Sequence, residues 1–278
     1  MKFRNRIFRL IAIAILITSV SFGVSSCEKE NPKDNQKQEN PINTDDPNTD
    51  DPNDDPNDDP NDDPNDDPND DPNLPPLEVN IFGTINHTVY TNGESGSVSF
   101  NRFPANLKEF QQVRDIIGGE PHGAVALQIM AYEMYRRNKT VGLECIKLNN
   151  TVNNISSATN RLNELFGNDA NYARPYQMAA YLKGAKWDNG YSPDRPYTVE
   201  VVVSPVQPYQ YSNDYQTDYL FLNVLTQGKS GGSDVLYVLK TFKPGEPSEG
   251  KYFIVQNSPG LYSQVQAISF ATPFQGLD

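Results

Sequence analysis

The sequence predicts an α+β domain: a helical N-terminal half packed on a C-terminal antiparallel β-sheet, with a small N-terminal β element ahead of both. Three observations carry that reading. At Leu74 the composition changes from an acidic, almost wholly polar segment to one rich in aliphatic and aromatic residues. Between residues 106 and 183 apolar residues recur at helical spacing. Beyond residue 197 they gather in short β-branched and aromatic runs separated by Gly and Pro. The 205 residues from Leu74 onward are enough for one sizeable core.

The first elements are two strands, LEVNIFGTI (77–85) and GSVSF (96–100), joined through polar, Gly-containing turns. They make residues 74–105 a β element, either a small subdomain or an edge hairpin on the main domain of residues 106–278. The helix NLKEFQQVRDII starts on Asn106 as N-cap, with Glu109 three residues on, and stops at Gly118-Gly119. Pro121 suits a first helical turn, and GAVALQIMAYEMYRR (123–137) carries apolar residues at 125, 126, 129, 130 and 134, the broad face of a central core helix. Short helices are expected at 140–149, at 157–166 with Ser156 or Ser157 as cap, and at 173–183. Strands are expected at 198–203, 217–225, 234–242, 251–256 and 264–270, with KPGEPSEG (243–250) and QGKSGGS (227–233) as hairpin connections.

The chain opens on a basic region with Lys2, Arg4, Arg6 and Arg9, then an apolar run from Leu10 to Val24. That is the layout of a secretory signal, and the run is short of the ~20 residues a membrane span needs. Val24-Ser25-Ser26-Cys27 resembles the bacterial lipobox, in which cleavage precedes the cysteine and the cysteine takes the lipid. Residues 1–27 thus read as a lipoprotein signal with Cys27 lipidated, and the membrane partner is engaged through that lipid. Glu28-Lys29-Glu30 is similar to the charged export signal of surface lipoproteins in the Bacteroidetes. The expected location is the outer membrane, lipid-anchored and facing the cell surface, with a periplasm-facing orientation as the alternative.

Residues 28–73 contain seven DDPN units, the first at Asp45 and the last at Asp70, and Ile42 is their one aliphatic residue. Such a segment buries too little surface to offset backbone entropy and is expected to be disordered. Proline stiffening and like-charge repulsion extend it, to at most about 140 Å at ~3.1 Å per residue. It carries −15 against +4 for residues 1–27, so the rest of the chain holds only −2 of the total −13. A near-neutral domain without a basic stripe argues against nucleic acid as a partner. The repeats lack the glycine turn and bidentate Glu of a calcium loop, so no specific metal is expected.

Few residues suit covalent chemistry. The two cysteines are Cys27 and Cys145, and acylation of the first leaves the second, in VGLECIKL, as a buried thiol. A His122 base acting on Cys145 is not supported by any elbow motif, and two histidines without HxxxH or CxxC spacing do not make a zinc site. Asp188 and Asp194 flank Tyr191 in the manner of a glycosidase acid pair, yet turns carry Asp for local hydrogen bonding as well. The SGG at 230–232 has no following lysine or helix signal and reads as a turn. No catalytic residue, metal or cofactor is assigned.

The aromatic residues are the stronger signal. Fifteen tyrosines stand against one tryptophan. They crowd into WDNGYSPDRPY, with Trp187, Asp188, Asn189, Tyr191 and Tyr197, and into YQYSNDYQTDYLF, with Tyr209, Tyr211 and Tyr215. Rings beside Asn, Asp and Gln offer stacking area and planar hydrogen bonding to a glycan or a protein ligand, and His122 is grouped with them as a candidate ligand surface. The same tyrosines also suit strand and turn edges with the hydroxyl in water.

PHGAVALQIMAYEMY, AYLKGAKWDNGYSPDRPYTVEVVV and SGGSDVLYVLK together resemble a family of bacterial domains of unknown function, over roughly Leu107 to Phe270. The residues that carry the resemblance are Gly184, Ala185, Asn189, Tyr191, Pro193, Pro196 and Tyr197. It implies a fold unit and no chemistry. The expected function is a lipid-anchored, non-enzymatic binding or adhesion module displayed on the acidic tether. The alternatives are an envelope glycan-processing hydrolase and a structural accessory subunit of an envelope complex.

Overall fold

The computed structural model describes residues 74–150, 155–207, 210–229, 233–240, 250–269 and 271–277. The signal, Cys27, the DDPN tether, Tyr209 and the SGG turn lie outside them. The fold is α+β. Six strands form one antiparallel sheet in the order β1 (Val79–Gly83), β2 (Ser95–Phe100), β3 (Tyr197–Val203), β6 (Leu220–Leu225), β7 (Ser233–Lys240) and β8 (Phe253–Asn257). A two-stranded hairpin, β4 (Tyr211–Ser212) with β5 (Thr217–Asp218), stands apart.

The β1–β2 hairpin is the first edge of this sheet, and β2 pairs along its whole length with β3. The helices are therefore an insertion between two neighbouring strands, with strands on both sides of them in sequence. α1 (Leu107–Ile117) begins on Asn106, whose side-chain oxygen accepts from the Glu109 N–H at 2.9 Å. It buries Phe110, Val113 and Ile117, one stripe at helical spacing.

α2 (Pro121–Arg137) is buried from Pro121 to Tyr135 and touches β2, β3, β7 and β8. A helix buried all round must satisfy its polar groups internally. Glu133 is fully buried and takes Arg136 at 2.6 Å and Arg137 at 3.0 Å, while Gln128 accepts from Asn149 at 2.9 Å. α3 (Lys139–Asn149) turns straight back from Asn138, whose side chain caps it by accepting from Thr140 N and Val141 N. Two glycines permit these corners. A Cβ on Gly123 would strike the Ile117 carbonyl, and one on Gly142 the Tyr135 backbone.

Several expected elements differ. α4 spans Ile155–Leu165, so Ser156 and Ser157 fall inside its first turn and do not cap it. Residues 173–183 form turns around a short 3₁₀ helix (Ala179–Tyr181), because Pro175 interrupts and Gln177 turns its amide inward to the carbonyls of Leu261 and Ser263. The run at 217–225 divides at Tyr219: Thr217 and Asp218 pair with β4, and Leu220 onward pairs with β7. Residues 264–269 are no strand. Their N–H groups go to separate partners, Val265 to the Gln177 side chain, Gln266 to Gly228 and Ser269 to Trp187.

Candidate functional site

The sheet opens on the β3–β6 side. Its ladder there covers only Val201↔Val224, Val202↔Asn223 and Val203↔Leu222. The next register positions, Glu200 and Leu225, do not pair with each other, although each is paired on its other side, with Ser97 and Ser233. Residues 182–194 enter the opening instead: Lys183 N–H donates to Thr198 O at 2.8 Å and Asp194 N–H to Lys183 O at 2.9 Å. Below this wedge, Thr226 closes the sheet end with a hydroxyl bond to Ala180 O.

The wedge turns tightly. Trp187–Asn189 is one 3₁₀ turn, followed by Gly190 at φ +67° and Tyr191 at φ +54°. A left-handed tyrosine is held only by surrounding contacts. Its ring stacks on Tyr176 at 5.0 Å, and its hydroxyl donates to Gln266 O at 2.8 Å. Asn189 spends its amide inside the loop, accepting from Lys186 N and Ser192 N and donating to Gly184 O and Ser192 O. The result is a groove of about 570 Å³ lined by Leu182–Lys186, Asn189, Asp194, Glu200 and Leu225–Gln227.

These placements correct much of the expected ligand surface. Tyr191 and Tyr197 are fully buried; Tyr197 packs between Phe100 and Phe103 with Arg195 over its ring. A ring with one polar tip reads equally as core or as surface in sequence, and here long-range packing decides. His122 is also buried, against Gly96 at the start of β2. Burial pushes its pKa down to about 4, opposed in part by the Phe82 backbone. Asn189 organises the loop. Trp187 and Asp188 remain exposed on the 3₁₀ turn, and Asp188 does not line the groove beside Asp194. Cys145 donates to Met134 Sδ at 3.6 Å, and its thiol is pushed up to about 12 by burial, with Glu144 adding to the effect. It is an inert core residue.

Tyr211 and Tyr215 lie on the β4–β5 hairpin, the former half-exposed. Beside that hairpin is a second, partly enclosed cavity of about 200 Å³. The rings of His87, Tyr90 and Tyr219 share it with Gln207, Gln210, Thr88, Thr217 and Asp218. His87 is braced by Phe253 at 5.2 Å. Gln207 is held on β6, bonding both the carbonyl and the N–H of Phe221, so Gln210 and Asp218 are the planar groups left to meet a ligand. The tyrosine cluster around this hairpin was legible in the sequence, but the hairpin was not, and Tyr211 and Tyr215 do not line the cavity. His87 and Tyr90 were not legible, because a polar loop between β1 and β2 gives no hint that it folds over a hairpin far downstream.

Among the described residues, no group of three or more His, Cys, Asp or Glu could hold a metal ion, and no helix is long and apolar enough to cross a membrane.

No curated protein and no solved structure matches the chain. A family model does match, over residues 102–269. The match includes every residue of the 570 Å³ groove and stops short of His87, Thr88 and Tyr90, so the smaller pocket is completed by residues outside it. With well over half its length in that match, the chain belongs to the family described as Domain of unknown function (DUF6935).

Proposed function

We propose that this chain is a lipid-anchored cell-envelope protein that binds a saccharide without processing it, displayed on the acidic DDPN segment at the outer membrane. The observation that carries the binding role is the pocket beside the β4–β5 hairpin, where Tyr90, Tyr219 and His87 surround Gln210, Asp218 and two threonines. Sugars present apolar C–H faces edged with hydroxyls, and rings interleaved with amide and carboxylate groups match both. At about 200 Å³ the pocket suits a terminal sugar unit better than a protein surface.

The envelope location rests on sequence: the basic and apolar leader, the lipobox-like Val24–Cys27 and the acidic residues after it. A domain that meets a large ligand outside the cell gains from reach, which the tether's composition favours. Bacteroidetes surface lipoproteins share this arrangement of export signal and anchor, and a cell-surface orientation is proposed on that resemblance. A glycan array probed with the purified protein tests the binding role, together with a panel of glycoside substrates. Binding without turnover is expected. Turnover of any substrate, or an empty array, would sink the proposal. Protease shaving of intact cells tests the orientation, and an unshaved protein would favour the periplasm-facing alternative.

A further inference from the structure

The saccharide reading leaves the larger groove, at the opening between β3 and β6, without a role. Its charges are not all spent. Lys183 Nζ is paired with Glu200 Oε1 at 2.9 Å, and that hydrogen bond raises the lysine's pKa. Asp194 adds to the shift from farther off, without forming an ion pair. Two charged groups on the groove wall have no such engagement among the described residues: the Asp194 carboxylate and the Lys186 ammonium.

The placement of Asp194 depends on Gly184. That glycine sits at φ +82°, and a Cβ built on it would fall closer to the carboxylate of Asp194 than any real contact allows. The carboxylate therefore lies directly on bare backbone, held by its own N–H bond to Lys183 O. The Lys186 backbone is fixed within the wedge, where its N–H donates to Asn189 Oδ1 at 2.9 Å and its carbonyl accepts from Tyr191 N–H at 2.7 Å. Leu182 and Leu225 add apolar surface to the lining, and Gln227 a planar amide. One free anion and one free cation on rigid backbone, in a groove already holding a balanced ion pair, complement a ligand that carries one charge of each sign.

We propose that this groove binds a short zwitterionic peptide, its terminal ammonium against Asp194 and its terminal carboxylate against Lys186. The volume of about 570 Å³ lies within the ~300–1,000 Å³ typical of ligand pockets and leaves room beyond one small amino acid, which favours a peptide. A few residues at ~3.3–3.6 Å each would span it. No covalent step is involved. The site is separate from the saccharide pocket, and every lining residue falls inside the family match.

Calorimetric titration of the purified full-length protein with triglycine, N-acetyl-triglycine, triglycine amide and free glycine tests this. Triglycine is expected to bind, and capping either end to weaken it by about ten-fold or more, the usual scale for losing one charge-assisted contact. Free glycine should bind more weakly than triglycine. Asp194→Asn should remove the penalty for N-acetylation and keep that for amidation, and Lys186→Gln should do the reverse. Damage to the fold cannot mimic this crossed pattern. The proposal is overturned if capped peptides bind as tightly as triglycine, if free glycine equals it, or if the wild-type protein takes up none of the four. Saccharide binding at Tyr219 should be the same in both variants, so each site fails or stands by itself.

Discussion

His122 shows how one side chain sets a pH dependence. Its imidazole is wholly buried, and an alanine methyl at Gly96 would come within 2.6 Å of its ring. Burial lowers its pKa from 6.5 to about 4, so the folded protein holds it neutral while the unfolded chain takes up the proton first as the pH falls. The stability it contributes is present in full above 6.5 and is lost as the pH falls toward 4, a change of about 3 kcal/mol. Glu109 acts in a lower window. The Arg102 guanidinium beside it holds its carboxyl below 4.5, so its contribution fades only as the pH falls beneath that value. Chemical denaturation of the wild type between pH 7 and 4.5 should show the loss, and His122→Leu should flatten it. An unchanged slope in that variant would assign the dependence elsewhere. Gly96→Ala should destabilise by roughly 1–3 kcal/mol through overpacking on the same ring. Equal midpoints in a denaturant titration would refute the contact.

At the scale of elements, the α2–α3 corner is the tightest joint. Gly142 faces the Tyr135 backbone with no room for a methyl group. Gly142→Ala is expected to cost roughly 2–3 kcal/mol, toward the upper end for overpacking because backbone and not a flexible side chain must yield. A loss under 0.5 kcal/mol in urea unfolding would mean that the helices part easily. What the sequence disclosed about elements follows from how local their causes are. α1 was legible to the residue because Asn106 and Glu109 make its start by themselves. α2 was legible because its apolar residues are too many for any exposed helix. The segment at 264–270 has a strand's composition, yet the backbone partners of residues 264–269 are a glutamine side chain, a tyrosine hydroxyl and two turns. The run at 173–183 looks helical until Pro175 and the inward amide of Gln177 are considered together. Such partners lie far away in sequence and leave no local signature.

The same distinction separates the two parts of the candidate site. The tyrosines of the β4–β5 hairpin and Trp187 stood out as aromatic clusters, and they remain at the surface. Tyr191 and Tyr197 lie in the same kind of aromatic cluster, and they went into the core together with His122. What buried them was Tyr176, Phe103 and Gly96, residues from distant elements. The groove was invisible for a related reason. It exists because a ladder stops after Val201↔Val224 and a loop takes its place.

Across the whole molecule, the proposals concern two surfaces and one anchor: a tyrosine-lined pocket, a charged groove, and the cysteine expected to carry lipid. Cys27→Ser should shift the protein from the membrane fraction to the soluble fraction of cells, leaving ligand binding by the purified protein unchanged. Retention in the membrane fraction would argue against the lipid anchor. The proposed saccharide binding depends most on the pocket beside the β4–β5 hairpin. The measurement that bears on it directly is calorimetric titration of the wild type and Tyr219→Ala with a saccharide selected from the array. The prediction is measurable binding by the wild type and at least ten-fold weaker binding by the variant, the effect of losing one stacking face. Equal affinity in the two proteins, with both still folded by circular dichroism, would contradict it.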